Sequence, residues 1–203
     1  MSYRKTVSIL MTGMLLGMAG QTACAENNIL YTARNFAYST LDAHDADMSW
    51  MIGGYGVTEN LFKLGDDMSI QPWLAESAEM EGNVWTIKMK EGVTFSNGNP
   101  VTSDIVIKNL QRSAEINPAK AILGEFTYTV VDDLTFTVES ETPYPTLTNL
   151  LAGPGNGIID VESIQDFDTE IIATGPFVVE DFVPAGDITV TKPPCPHTWH
   201  HHK

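Results

Sequence analysis

The stretch VTFSNGNPVTSD, residues 93–104, places a strand, a turn and the start of a helix close together. Its first residues, Val93–Phe95, favour extended structure and predict a short strand. Asn97–Gly98 is a typical turn dipeptide. Thr102 or Ser103 can cap a helix, because a hydroxyl oxygen there accepts a hydrogen bond from a backbone N–H group of the first turn. The stretch therefore predicts a change from strand to helix within one short segment.

The helix that follows carries Ile105, Val106 and Leu110, and Asn117 with Pro118 ends it. Strands and helices are mixed along the rest of the chain. Strands are predicted at Ile29–Ala33, Val84–Lys90, Phe126–Val131, Thr135–Val138, Phe177–Phe182 and Ile188–Lys192, and further helices at Met48–Lys63 and Pro145–Leu151. This order has no regular βαβ rhythm and no internal repeat, so it predicts the α+β class.

The N-terminus has the three parts of a secretory signal. Arg4–Lys5 precedes an apolar run, residues 7–18, and Ala23-Cys24-Ala25 forms a small-x-small cleavage site. The apolar run is too short for a membrane-spanning helix, which needs ~20 residues. We therefore expect cleavage after Ala25 and a mature chain that is periplasmic or extracellular. Lipidation of Cys24, which would make the chain a lipoprotein, is the alternative.

The charge of the chain is strongly acidic, with 26 Asp and Glu against 11 Lys and Arg and a formal net charge of −15. Such a surface repels nucleic acid, so we expect no nucleic-acid partner. The carboxylate pairs Asp66–Asp67 and Asp132–Asp133 lie in predicted turns, where aspartate is favoured for backbone reasons. His44 is the only histidine before the C-terminal tail, which excludes a multi-histidine metal site or a Ser-His-Asp site in the folded body. We expect no catalytic residue, no metal site, no cofactor and no enzymatic activity.

Five segments of the chain carry a family resemblance. They are ENLFKL at 59–64, QPWLAES at 71–77, WTIKMK at 85–90, VTFSNGNPVTSD at 93–104 and ATGPF at 173–177. Their order resembles the family of extracytoplasmic solute-binding proteins for oligopeptides, dipeptides and nickel. The resemblance implies a monomeric receptor that captures a peptide or related small solute outside the membrane. Its partners would be the membrane permease subunits of an ABC importer.

The resemblance also implies a domain organisation with two lobes that close around a ligand. The expected parts are a signal peptide at 1–25, a first lobe at 26–63 and 143–192, an inserted β-rich subdomain at 64–142, and an aberrant or disordered tail at 193–203. The two late strands should then pair with the strand near Ile29–Ala33 and not with the inserted subdomain. The second lobe is missing, so we expect a truncated chain. The alternative for the tail is a metal site at Cys195, His197 and His200–His202.

Candidate ligand-binding residues also come from the resemblance. Met51 matches the position at which the nickel-binding members carry a cleft methionine. Trp50 beside it and Tyr55 one helical turn later are further candidates. Asn156, in the loop after the short helix, could offer an amide to a peptide backbone. A simple packing role for Trp50 and Met51 is the competing interpretation.

The nature of the ligand stays open between two solutes. The nickel-binding members have a tyrosine where this chain has Ala46, and arginines in the loop where it has Gly155 and Asn156. Loss of an arginine removes a bidentate contact to a carboxylated chelator, so a nickel chelate is the alternative to a peptide. Outside this family, the remaining interpretations are a secreted β-rich surface interaction module and a secreted hydrolase.

Overall fold

The computed structural model describes residues 39–192. These residues belong to one compact unit. The helices are α1 (Ser49–Gly54), α2 (Ser103–Ile116), a 3₁₀ helix (Pro118–Glu125) and α3 (Leu147–Ala152). The strands are β1 (Phe62–Leu64), β2 (Ile70–Pro72), β3 (Ala75–Glu81), β4 (Val84–Met89), β5 (Thr127–Val130), β6 (Thr135–Glu139), β7 (Val178–Phe182) and β8 (Ile188–Thr191). The predicted signal sequence, the first predicted strand and the C-terminal tail lie outside the described residues.

A four-stranded antiparallel sheet, in the order β3-β4-β6-β5, forms the centre of this structure. The strand predicted at Val84–Lys90 is confirmed as β4, in which Ile87 and Met89 are buried while Thr86 and Lys88 are exposed. Ile87 lies opposite Phe136 on the neighbouring strand, and Phe136 is fully buried. The strands predicted at Phe126–Val131 and Thr135–Val138, with the turn at Asp132–Asp133 between them, are also confirmed, as the antiparallel β5–β6 pair.

Helix α2 packs against the buried side of this sheet and has the start and end that the sequence predicts. The Thr102 hydroxyl oxygen accepts a hydrogen bond from the Ile105 N–H group, at 3.4 Å. Asn117 ends the helix, and its side chain accepts from the Ala119 N–H group to begin the 3₁₀ helix. Val106 and Leu110 of α2 share one hydrophobic cluster with the sheet and with α3.

A second hydrophobic cluster lies beside the β7–β8 hairpin. Its buried members include Leu41, Ile52 and Ile159, and Val179 and Ile188 of the hairpin pack against it. The two late strands pair with each other and not with the four-stranded sheet. Their predicted pairing with the strand near Ile29–Ala33 concerns a partner outside the described residues, so it stays a prediction.

The helix predicted at Met48–Lys63 is wrong in its length. Helix α1 ends at Gly54, and the chain turns at Gly56, whose φ of 69° is the left-handed conformation that glycine adopts without strain. Phe62 and Lys63 belong to β1, which pairs with β2. The helix therefore ends at glycines, well before the predicted end at Lys63.

The strand predicted at Val93–Phe95 is not formed, because this segment is irregular apart from a single bridge between Thr94 and Pro100, and a turn follows it at 96–98. Its position is set by contacts with a distant part of the chain. Asn97 and Asn99 each donate a side-chain hydrogen bond to one carboxylate oxygen of Asp160, both at 2.8 Å. The burial of Phe95 thus reflects this anchoring and not a place in a sheet.

Gly175 gives a test of how closely two segments of this unit approach each other. A Cβ atom there would lie 2.2 Å from the Gly56 carbonyl oxygen, whereas a Cβ at Gly54 would meet nothing within 4 Å. We expect Gly175→Ala to lower the free energy of unfolding by at least about 2 kcal/mol through overpacking. The matched change Gly54→Ala should alter it by less than about 1 kcal/mol. Chemical denaturation of both variants measures these values, and equal small effects would contradict the close approach.

Candidate functional site

An open groove of about 490 Å³ lies between α1, β1 and the loop that follows α3. Ser49, Trp50 and Gly53 of α1 line one side, and Trp73 lines another. The remaining wall is the segment 152–157, whose residues Ala152, Pro154, Gly155 and Gly157 face the groove. Aromatic rings and backbone therefore supply much of its surface, which is typical of sites for small organic ligands.

Trp73 is held in a fixed position at the groove. Its indole N–H group donates to the Glu59 carboxylate at 2.8 Å. The Lys63 ammonium lies 3.7 Å from the centre of the ring, and the Lys90 ammonium lies 5.7 Å from it. A positive charge over an indole face is attracted by the electron-rich ring. This wall therefore presents a fixed aromatic surface next to positive charge.

The 152–157 wall is fixed by side chains that bond to its backbone. The Asn60 amide donates to the Ala152 and Gly153 carbonyl oxygens, at 3.0 and 3.1 Å. The Ser113 hydroxyl of α2 donates to the Gly155 carbonyl oxygen at 2.6 Å. The Asn156 amide donates to the Leu150 carbonyl oxygen at 2.6 Å. Because these bonds fix the loop in advance, little ordering is left to occur when a ligand binds.

The four residues predicted from the sequence occupy different places. Trp50 lines the groove and is 45% exposed, while Met51 is completely buried and does not line it. Tyr55 is half-buried and packs against the second hydrophobic cluster. Asn156 is buried, and its amide already bonds within the loop. The structure thus brings Trp50 to the groove, and ligand contacts by the four residues stay predictions.

Several groove residues were not recognised from the sequence. Asn60 and Lys63 lie within the ENLFKL segment and Trp73 within QPWLAES, which the sequence offered only as carriers of a resemblance. No local sequence pattern marks these residues as a group. Their convergence on one groove depends on the pairing of β1 with β2, which sequence spacing does not specify.

A buried charged network lies behind the groove. Arg112 of α2 donates two hydrogen bonds to the Asp42 carboxylate, at 2.7 and 2.6 Å, and a third to His44 Nδ1 at 2.9 Å. Since Arg112 is always a donor, His44 Nδ1 accepts and its Nε2–H group donates to the Gly157 carbonyl oxygen at 3.0 Å. Gly157 belongs to the groove wall, so the network connects α2 to the groove.

Burial and charge set the ionisation of this network. Burial, together with the Arg112 charge, lowers the pKa of His44 from 6.5 to about 4. Burial opposes ionisation of Asp42, but hydrogen bonds from Arg112 and from the His44 N–H group bring the pKa of Asp42 below its usual value. At neutral pH the network therefore consists of a carboxylate–guanidinium pair whose guanidinium also bonds to a neutral histidine ring.

Comparison with known proteins identifies the family. The model of bacterial extracellular solute-binding proteins, family 5 Middle, matches residues 69–195. The chain belongs to this family. The resemblance predicted from the five segments is confirmed, as are the α+β class and the periplasmic-binding-protein-like fold. Family 5 consists of solute-binding proteins and not of enzymes, in line with the expected lack of catalysis.

This chain matches only part of the length of its named relatives and of the similar solved structures. The glutathione-binding protein GsiB of Escherichia coli K12 is 26% identical in an alignment of 188 positions that covers 86% of this chain and 36% of that protein. A nickel ABC transporter structure from Bacillus halodurans is 31% identical, with a TM-score of 0.72 over 78% of this chain and 33% of that one. The murein tripeptide binding protein MppA of Escherichia coli shares the fold, at 20% identity and a TM-score of 0.67 over 77% of this chain and 36% of that one. The chain thus spans about a third of the length of these family members.

Among residues 39–192, no helix is long and apolar enough to cross a membrane. Within the same residues, no group of three or more His, Cys, Asp or Glu side chains is arranged to hold a metal ion.

The His44 network predicts acid sensitivity. The pKa of His44 is about 4 in the folded state, below its ordinary value of 6.5, so folding favours the neutral imidazole ring. The stabilisation is complete above pH 6.5 and is lost as the pH falls towards 4, at up to about 1.4 kcal/mol per pH unit. His44→Gln removes the titration while its amide can still accept from Arg112 and donate to Gly157. The free energy of unfolding, measured by chemical denaturation between pH 4 and 7, should therefore depend less on pH in the variant than in the wild-type chain. The same pH dependence in both chains would contradict this role of His44.

Proposed function

We propose that this chain is the substrate-binding component of an ABC importer, or a part of one, and that it holds a small solute in the groove. The observation that carries the proposal is a fixed groove, with Trp50 and Trp73 on its walls, in a chain of family 5. Aromatic surface stabilises a bound solute by removing apolar area from water. The bonded loop at 152–157 supports the proposal further, because it holds its shape without a ligand.

The proposed solute is a peptide or peptide-like molecule. Relatives are named for glutathione and for a murein tripeptide, which are short peptides with free carboxylates and amines. The groove offers both apolar rings and charged groups, with Lys63 and Glu59 beside Trp73. A nickel chelate is the second candidate, since the Bacillus halodurans structure with 31% identity is a nickel ABC transporter.

The setting of this activity is also a proposal. The signal sequence at the N-terminus supports export, with cleavage after Ala25 or lipidation of Cys24. The mature receptor would work in the periplasm or outside the cell as a monomer, and would pass its solute to membrane permease subunits. We propose the division into a first lobe at 26–63 and 143–192 and an inserted subdomain at 64–142.

Replacement of Trp50 tests the groove as the binding site. Calorimetric or NMR titration with glutathione, trialanine and nickel with histidine, from micromolar to millimolar concentrations, identifies the solute that binds. Trp50→Ala should weaken binding of that solute at least about tenfold, or ~1.4 kcal/mol, because an aromatic contact is lost. Met80→Ala is the matched control, since Met80 is an exposed apolar side chain on β3 outside the groove.

The outcomes separate the candidates. Binding of glutathione or trialanine supports a peptide receptor, and binding of nickel with histidine alone supports the chelate. Equal affinities for the wild-type chain and Trp50→Ala would remove the groove from the proposal. No binding of any of the three solutes would count against solute capture by this chain.

A further inference from the structure

Of the described residues that line the groove, two carry a charge, and both contact the same indole ring. The Glu59 carboxylate accepts a hydrogen bond from the Trp73 indole N–H group at 2.8 Å, and the Lys63 ammonium lies 3.7 Å from the centre of the ring. All three side chains are half-buried. One wall of the groove therefore presents a carboxylate at the edge of an indole and an ammonium over its face.

The backbone holds these three residues in fixed positions. Lys63 belongs to β1, which pairs with β2. The Trp73 N–H group, just after β2, donates to the Leu61 carbonyl oxygen at 2.9 Å. The Glu59 carbonyl oxygen accepts from the Ile158 N–H group, also at 2.9 Å. Because the two charged residues are fixed beside one ring, a ligand that pairs with them has little ordering to impose.

The Lys63 ammonium has no carboxylate partner within the described residues 39–192. Lys88, Lys108 and Arg112, in contrast, each pair with a carboxylate at 2.5–2.6 Å. The Trp73 ring attracts the ammonium but cannot accept the strong charge-assisted hydrogen bonds that a carboxylate accepts. An ammonium has three N–H donors, so Lys63 can bind a carboxylate that enters from the groove.

The Glu59 charge narrows the type of solute. A solute that carries only carboxylates would be repelled by Glu59 when it approaches Lys63. The whole chain is also acidic, with a formal net charge of −15, which disfavours polyanions. A solute with one carboxylate and one ammonium can pair with Lys63 through the first group and with Glu59 through the second. The charges of the groove therefore favour a zwitterion.

Exposed apolar side chains lie in the same groove as these charges. Trp50 is 45% exposed and Leu64 is 52% exposed, and both line the groove together with Pro154 and Pro176. Apolar surface of this kind gains free energy when a ligand removes it from water. The lining thus suits a solute that has charged ends and an apolar body.

We propose that Lys63 and Glu59 recognise the two charged ends of a zwitterionic short peptide, with Lys63 binding its carboxylate and Glu59 its ammonium. The inference rests on the proposed function, because it requires a peptide in the groove. It goes further by naming the residues that select solutes with both termini free. Trp73 is a positioning residue, since it contacts both charged side chains at the groove wall.

Three probes that differ only at their ends test the recognition of charge. At pH 7 trialanine carries both an ammonium and a carboxylate. Trialanine C-terminal amide lacks the carboxylate, and N-acetyl-trialanine lacks the ammonium. Each is titrated into the full chain by NMR, up to millimolar concentration. The wild-type chain should bind trialanine at least about tenfold more tightly than either blocked peptide.

Two variants assign the two ends separately. Lys63→Met should bring the affinity ratio of trialanine to its amide near one while keeping the preference over N-acetyl-trialanine. Glu59→Gln retains an oxygen that can accept from the Trp73 indole, and it should remove the preference over N-acetyl-trialanine while keeping the preference over the amide. Lys88→Met and Glu79→Gln are matched controls at exposed residues of the central sheet outside the groove, and both ratios should stay at their wild-type values.

Further variants keep the test decisive if Lys63→Met does not fold. Lys63→Gln removes the charge with a polar side chain and should abolish the preference for the acid in the same way. Lys63→Arg keeps a positive charge that can stack on the Trp73 ring, so it should preserve this preference. A purely structural role of Lys63 would lower the melting temperature without changing the affinity ratio, and that result would contradict the assignment.

The results distinguish this inference from the proposed function. If the wild-type chain binds the three probes equally, recognition of the charged ends is excluded while solute capture in the groove stands. If both preferences survive in Lys63→Met and in Glu59→Gln, the assignment of these residues is wrong. If neither glutathione nor any of the three probes binds, the proposed function and this inference both fail for this chain.

Discussion

The ion pair between Arg112 and Asp42 connects the parts of the chain that build the groove. Arg112 belongs to α2, whose apolar face is fixed to the central sheet, and Asp42 lies in the segment before α1. A buried ion pair adds little net stability, because both charges lose water. Any arrangement that leaves one of them buried and unpaired, however, costs about 3–5 kcal/mol. The ion pair thus fixes the position of α2 relative to the segment before α1. The hydrogen bond from His44 to the Gly157 carbonyl oxygen extends this connection to the groove wall.

The groove depends on this ion pair because one of its walls is a loop. The segment 152–157 has no strand partner, and its shape comes from single side chains, namely Asn60, Ser113 and Asn156. Each donates to a carbonyl oxygen that would otherwise need water. A wall built this way leaves Gly155 and Gly157 facing the groove.

The sequence predicted those features that depend on local chemistry. The strand predicted at Val84–Lys90 is found as β4, because one buried face of an antiparallel sheet leaves a pattern in the sequence. Of the two predicted caps, Thr102 and Ser103, the structure uses Thr102, which requires only a hydroxyl before an apolar run. The prediction of a strand at Val93–Phe95 was wrong, because the turn that follows is held by hydrogen bonds to Asp160, which lies far along the chain. Of the four ligand-binding candidates predicted from the sequence, only Trp50 lines the groove.

The central claim is that a solute occupies the groove between α1, Trp73 and the 152–157 loop. Chemical-shift mapping in a ¹⁵N-labelled chain during addition of glutathione tests it most directly, because it locates the ligand independently of affinity. We predict that the largest shifts are those of the Trp50 and Trp73 indole N–H groups and of the Gly155 amide, with β5 at the far edge of the sheet unchanged. Shifts concentrated on β5, or spread evenly over the chain without the indole signals, would contradict the account.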